Sequence, residues 1–325
     1  MANKALILGI TGQDGGYLTE LLLSKGYEVH GLVRRNSAYD VNNINHLKDQ
    51  VTMHYGDLLA EHDLALLIHD LQPDEIYNLA AQSDVKLGSE CPEYTSLVNY
   101  TSVVNLLQAV RCFAPCTTKV YQASTSEMFG NAGAPQNENT KMVPASTYGN
   151  AKLAAFHECG IYRKSYGMFV CNGILFNHES TRRGTNFVTR KVTKAAARIK
   201  LGLQDSLELG NLDAKRDWGY APDYVNAMWL MLQQDEPDDY VIGTGESRSI
   251  RELLDEAFGY IGLDWQDYVK TSTTMLRPNE VNHLQADSTK ARKVLGWQPT
   301  VTFSEMIKRM VENDLIQERE LVSVK

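Results

Sequence analysis

Tyr148 and Lys152 stand four residues apart in a stretch of helical pattern, so both side chains project from one helix face. An ammonium beside a phenol favours the phenolate and lowers the phenol's pKa. Such a tyrosine can act as a general base toward a hydroxyl near neutral pH. A Tyr-x-x-x-Lys pair also arises by chance in many helices, so its meaning depends on its neighbours. Just upstream, Ser124, Thr125, Ser126 and Glu127 close an apolar run. Hydroxyls there can hydrogen-bond a reacting oxygen. Ser/Thr, Tyr and Lys already suffice for a simple alcohol oxidation. Glu127 adds a second base, able to take a carbon-bound proton next to a new ketone; the plainer alternative is a carboxylate that caps a turn or pairs with an arginine.

A second constellation lies at the start of the chain. Gly9, Gly12 and Gly15, with Thr11, Gln13 and Asp14 among them, join the first apolar run to the first helical pattern. Glycines there permit a tight turn and a close approach of backbone to a pyrophosphate, at a helix N-terminus whose free N–H groups favour anions. A bare turn would look the same, but the place within a β–α–β unit favours a dinucleotide. The second apolar run ends in Arg34-Arg35-Asn36-Ser37. An acidic residue there serves the ribose of NAD; two guanidiniums suit the 2′-phosphate of NADP. Asp57 and Leu58 follow the third strand, where a side chain could meet the adenine edge. Leu79, Ala80, Ala81, Gln82 and Ser83 follow the fourth, small enough for the loop to pass close to the cofactor. Lys152 would then also hold the nicotinamide ribose.

These residues need a scaffold that gathers strand ends. Short apolar runs at 4–9, 28–33, 51–55, 75–80, 119–124 and 168–176 read as strands. Helical patterns at 15–25, 61–71, 93–113 and 146–166 alternate with them. The expected class is α/β: a Rossmann-type doubly wound parallel sheet. After about 177 loops lengthen and charges become denser. Helices are expected at 187–202, 222–234, 249–261 and 304–315, with strand-like pieces at 207–210 and 239–243. The predicted division is an NADP-binding domain at 1–177 and a smaller α/β substrate domain at 178–325, with some C-terminal segments returning to the first.

Composition excludes several classes. The chain has 325 residues, 43% hydrophobic and 22% charged, enough to bury a large core. A formal net charge of −8 argues against a broad basic surface for nucleic acid. The five cysteines show no metal-ligand spacing, so no metal is expected and the thiols read as reduced. No window approaches the ~18 apolar residues of a membrane helix. With no signal-like N-terminus, a cytoplasmic location is expected.

Together these residues resemble the GDP-mannose 4,6-dehydratases, of the extended short-chain dehydrogenase/reductase superfamily. The matching stretches are GITGQDG (9–15), GLVRRNS (31–37), NLAAQS (78–83), YQASTSEMFG (121–130), YGNAK (148–152) and NGILFNHES (172–180). They continue through RRG (182–184), FVTRKV (187–192), LGNLDAKRDWG (209–219), DYVNAMWLMLQQ (223–234) and RPNEV (277–281), essentially the whole chain. The resemblance implies that Tyr148, helped by Lys152, takes the 4-hydroxyl proton as hydride leaves C4 for NADP. Glu127 removes the C5 proton and helps expel the 6-hydroxyl as water, with Thr125 assisting, and the hydride returns to C6.

The resemblance also implies that Asn177, His178 and Arg183 reach the cofactor and the sugar diphosphate. Lys191, Arg216 and Arg277 resemble the family's GDP-binding cations, and Glu280 would meet the guanine edge or the ribose. Ser83, Ser126, Val188 and Gly210 fall in matched stretches and belong to the implied substrate site. The long 34–45 loop resembles one that reaches a neighbouring subunit, implying a homodimer or homotetramer. The 84–92 segment departs from the family pattern, as do Thr147 and Asn150. Another GDP-sugar, such as a heptose, therefore stays open as the substrate. An epimerase or oxidoreductase on the same scaffold is a further alternative; a regulatory protein that only binds NADP is disfavoured by the intact Thr125, Glu127, Tyr148 and Lys152.

Overall fold

A computed structural model of the chain describes residues 2–34, 43–275 and 279–323. The chain runs β1 (Lys4–Leu8), α1 (Gln13–Ser24), β2 (Glu28–Val33), β3 (Thr52–Tyr55), α2 (Glu61–Leu71) and β4 (Glu75–Asn78). Next come α3 (Val85–Glu90), α4 (Pro92–Ser96), α5 (Ser102–Phe113), β5 (Lys119–Thr125), α6 (Thr147–Tyr166) and β6 (Phe169–Leu175). The second half holds β7 (Asn177–Glu179), α7 (Val188–Lys200), β8 (Leu207–Leu209), β9 (Lys215–Tyr220), α8 (Ala221–Leu232) and β10 (Asp239–Ile242). It closes with β11 (Ser247–Ser249), α9 (Ile250–Tyr260), β12 (Val269–Thr271), α10 (Thr289–Leu295) and α11 (Phe303–Ser323).

Seven parallel strands form the main sheet in the order β10-β6-β5-β4-β1-β2-β3. The strand β1 explains why the sheet needs two covering layers. Its Ala5 and Ile7 pack into one apolar cluster with α1 and α8, whereas Leu6 and Leu8 pack into another with α2, α5 and α6. A strand buried on both faces reads as a continuous apolar run, as KALIL does. The order reverses between β1 and β4, and ligands bind in the crevice outside the carboxyl ends at such a reversal. A third cluster, built from α7, α9 and α11, forms the core of the second half.

Several sequence expectations change. The helix expected over 93–113 is interrupted: a π-helical turn at Leu97–Thr101 separates α4 from α5. The divergent 84–92 segment is not an open loop. Asp84 caps α3, and Pro92 opens α4. The residues after the sixth strand form a further short strand, β7, because Asn177 and His178 pair with Trp218 and Gly219 of β9. The last helix runs on to Ser323, since Asp314 and Glu318 are buried against α7 and extend its packed face.

The run at 239–242 leaves the second half and becomes the edge strand beside β6. Polar contacts fix it there: Asp239 Oδ1 accepts from Asn172 Nδ2 (2.8 Å) and from Arg163 Nη2 (2.5 Å).

The second-half core is tied by a buried ion pair, Arg190 Nη2 to Asp314 Oδ1 at 2.7 Å, with Thr193 Oγ1 donating to Asp314 Oδ2 at 2.7 Å. Removing one partner of a buried pair strands the other charge, at a cost of about 3 kcal/mol or more. Asp314→Ala is accordingly expected to lower the urea midpoint strongly. An unchanged midpoint would show that Arg190 finds water instead.

Candidate active site

The carboxyl ends of β1, β4, β5 and β6 open into one cavity of about 1420 Å³. Every site candidate named above among the described residues lines it, from Gly9 at the first turn to Glu280 near the end of the chain. Arg35, Asn36, Ser37 and Arg277 lie outside the described residues. A single drug-sized ligand fills up to ~1,000 Å³, so this cavity has room for more than one. Among the described residues no group of three or more His, Cys, Asp or Glu could hold a metal ion, and no helix is long and apolar enough to cross a membrane.

The three glycines differ in what demands them. Gly9 has φ +86°, and a Cβ there would meet Ala80 Cα at 2.9 Å. A Cβ on Gly15 would meet Gly9 O at 2.4 Å. Those two are required by the contact of the turn with β4 and with α1. Gly12 caps α1 without a side-chain hydrogen bond, and its nearest obstacle is Gly9 O at 3.3 Å. The helix N-terminus beside it therefore opens on the cavity and fits an anion.

Gln13 and Asp14 reach across to β7. Gln13 Nε2 donates to His178 O (3.2 Å) and its Oε1 accepts from Ser180 Oγ (2.7 Å). His178 Nε2 pairs with Asp14 Oδ2 at 2.8 Å, and its ring stacks on Tyr224 with centroids 4.5 Å apart. Burial pushes the His178 pKa down, but the Asp14 charge and hydrogen bond outweigh it and hold it above the ordinary value. Burial likewise pushes Asp14 up, and His178 pulls its carboxyl below the usual range.

Elsewhere in the cavity, Arg34 Nη1 donates to Tyr94 OH at 2.9 Å. Asp57 accepts from the Leu59 N–H at 3.0 Å, a local turn contact, and Leu58 is mostly core. Gln82 is buried: it exchanges hydrogen bonds with Asn99 and donates to the Asp84 carbonyl.

At the centre, α6 brings Tyr148 over the turn that follows β5. Ser146 caps the helix by accepting from Gly149 N at 3.0 Å. Gly149 is what permits the approach, because a Cβ there would sit 2.7 Å from Glu127 O. Thr125 Oγ1 accepts from Glu127 N at 3.2 Å, so Thr125 and Glu127 share one turn. Tyr148, Glu127 and Lys152 are all buried.

The electrostatics correct the sequence expectation for the pair. Burial pushes the Tyr148 phenol up to about 12, and the Glu127 charge adds to the rise; a Thr125 hydrogen bond and the Arg183 charge oppose it. Lys152 does not lower the phenol here. Its Nζ donates to the Ala123 carbonyl at 2.9 Å, and burial lowers its own pKa to about 8. Desolvation acts on both groups and favours their neutral forms.

The remaining candidates line the second-half wall. Arg183 pairs with buried Glu179 (3.0 Å) and lies over Phe187. Val188 is the first residue of α7, whose N-cap, Phe187, makes no side-chain capping bond. Lys191 Nζ donates to Glu208 O at 2.8 Å. Arg216 and Glu280, read separately in the sequence, pair with each other at 3.5 Å, and Arg216 also donates to Val281 O. A Cβ on Gly210 would meet Met275 O at 2.8 Å. Sequence reasoning missed Tyr94, Asn186, Trp218, Ile250 and Met275, which also line the cavity. No short-range signal marks them, because each arrives by tertiary packing.

Two expectations follow. Asp14→Asn removes the charge that raises His178, so burial wins and an NMR titration finds the His178 pKa lowered. The wild-type pair's contribution from His178 is complete below an unfolded pKa of about 6.5 and fades as pH rises through the higher folded value. Among the glycines, Gly15→Ala is expected to lower thermal stability. Gly12→Ala is expected to leave it nearly unchanged and to weaken dinucleotide binding in a fluorescence titration.

Residues 6–310 match the family model for GDP-mannose 4,6 dehydratase. The chain is 53% identical over 332 residues to GDP-mannose 4,6 dehydratase 2 of Arabidopsis thaliana, covering 98% of this chain and 89% of that protein. It is 47% identical over 340 residues to the Homo sapiens GDP-mannose 4,6 dehydratase, covering 96% and 91%. Among solved structures, a dTDP-glucose 4,6-dehydratase of Streptomyces venezuelae with NAD bound shares the fold at TM-score 0.87 and 22% identity, covering 98% of both chains. By the near-complete match to the family model and to curated members, the chain belongs to the GDP-mannose 4,6-dehydratase family.

Proposed function

We propose that this chain is a hydro-lyase that converts GDP-mannose to GDP-4-keto-6-deoxymannose, with NADP as resident cofactor. The observation that carries this reading is the meeting of Thr125, Glu127, Tyr148 and Lys152 in one cavity large enough for a dinucleotide and a nucleotide sugar side by side. The N-terminus of α1 beside Gly12 would take the pyrophosphate, and Arg34 with Arg35 the 2′-phosphate. The Streptomyces neighbour carries NAD, so the choice of NADP rests on those two arginines. The open N-terminus of α7, with Val188 and Lys191, suits the diphosphate of the sugar, and Arg216 with Glu280 the nucleoside. Residues 1–177 would serve the dinucleotide and residues 178–325 the nucleotide sugar, with β10 returning to the first sheet. The reading includes a homodimer or homotetramer in the cytoplasm.

When bound, the nicotinamide supplies the hydride acceptor for C4 and later the hydride donor for C6. Tyr148 takes the 4-hydroxyl proton. Thr125, at the same turn, hydrogen-bonds that oxygen. Tyr148 is the second residue of a capped helix, and the N-terminal dipole favours its phenolate against burial. The new 4-ketone acidifies the C5 proton, and Glu127 removes it. Glu127 then gives a proton to the departing 6-hydroxyl, which leaves as water. The proton held by Tyr148 returns to C5 as C6 is reduced, so Tyr148 is restored and the sum is the loss of one water. Helix α3, which brings Asp84 and Lys86 to the cavity, favours one second reading, a different GDP-sugar such as GDP-heptose.

The test is mass spectrometry of the purified protein with a panel of GDP-sugars and no added cofactor. GDP-mannose is expected to lose one water. A product retaining its 6-hydroxyl would move the chain to epimerase or oxidoreductase chemistry, and conversion of another sugar alone would move the substrate. Tyr148→Phe is expected to lower turnover by about 100-fold or more, as loss of a general base does. Because a buried phenol must lose its proton, wild-type turnover is expected to rise with pH through the neutral range. Arg34→Ala is expected to weaken NADP by about tenfold while sparing NAD, since a charge-assisted phosphate contact is lost.

A further inference from the structure

Asp84 divides its two carboxylate oxygens between two elements. Oδ1 accepts from the backbone N–H of Lys86 (2.8 Å) and of Leu87 (3.2 Å), capping α3. Oδ2 accepts from Asn186 Nδ2 at 3.2 Å. Asn186 lies in the segment between β7 and α7, on the opposite wall of the cavity, and both residues line that cavity. The Asp84 backbone is held from behind. Buried Gln82 donates to its carbonyl at 2.8 Å and is itself fixed by Thr95 and Asn99. Helix α3 in turn rests on Tyr148: the Cβ position of buried Gly88 is 3.4 Å from Tyr148 Cβ and 3.5 Å from Tyr148 N.

We propose that the Asp84–Asn186 hydrogen bond is a latch across the mouth of the cavity beside Tyr148, and that Asp84 is a positioning residue that governs entry and release of the nucleotide sugar. The two contacts of Asp84 differ in strength of support. The cap and the Gln82 bond keep Asp84 seated on α3. The Asn186 bond is exposed and made by single atoms on each side, so it can open without unfolding either wall. A net hydrogen bond of this kind is worth a few-fold in an equilibrium. When it opens, the exposed 184–186 stretch is the side that moves, because α3 stays pinned against Tyr148, while Arg182 and Arg183 just before the stretch are held by Glu20 and Glu179. The inference rests on the reading of this cavity as the nucleotide-sugar site.

The experiment exchanges donor and acceptor. Asn186→Asp sets two carboxylates face to face and opens the latch. Adding Asp84→Asn restores one donor and one acceptor, and the new amide oxygen still caps α3. Asn186→Asp is expected to raise the KM for GDP-mannose about fivefold with a smaller change in kcat. Amide hydrogen exchange should quicken in 184–186 at an unchanged thermal midpoint. The double variant is expected to return both readouts to near wild type. Asn186→Ala serves as the neutral version if Asn186→Asp lowers the midpoint. Unaltered exchange and KM in the single variants overturns the latch, as does a well-folded double variant that fails to recover. Should the wild-type protein dehydrate no GDP-sugar, the functional reading fails, while the exchange measurement still decides whether the latch exists.

Discussion

The rest of the structure depends on one constraint: the main sheet is parallel and buried on both faces. Parallel strands all end at the same edge, and a chain that returns by helices places every strand-to-helix turn there. Alternate residues of β1 enter opposite apolar clusters, which locks each strand's register and with it the position of each turn. Gly9–Gly15, Leu79–Ser83, Ser124–Glu127 and Asn177–His178 therefore converge on one crevice although they span most of the first 180 residues. The second half contributes the opposite wall through α7, the Arg216–Glu280 pair and the segment that carries Asn186.

Burial that assembles the crevice also sets its electrostatics. Tyr148 and Lys152 are both pushed toward their neutral forms, whereas Asp14 and His178 each favour the other's charged form. Desolvation alone penalises charge, and only a close partner of opposite sign reverses it. Lys152, whose own charge is disfavoured by burial, is turned to the Ala123 carbonyl and does not offset the rise of Tyr148. The hydroxyl of Thr125, the Arg183 charge and the N-terminus of α6 favour the phenolate. Close backbone contacts at Gly9, Gly149 and Gly88 keep these groups adjacent.

The sequence by itself determined the alternation of strands and helices, the glycine turn and the Tyr148/Lys152 helix. These are local: a period of two or of 3.6, a cap or a glycine is written in consecutive residues. It also carried the family, because the matched stretches run through the whole chain. Only the tertiary structure decided the rest. The run at 239–242 joins the main sheet because Asp239 meets Arg163 and Asn172, residues 76 and 67 positions away. The 84–92 segment became a helix laid on Tyr148, tied by Asp84 to a residue 102 positions on. The Tyr148 pKa moved opposite to the local expectation because spacing along a helix says which groups are near, but not how much water remains around them.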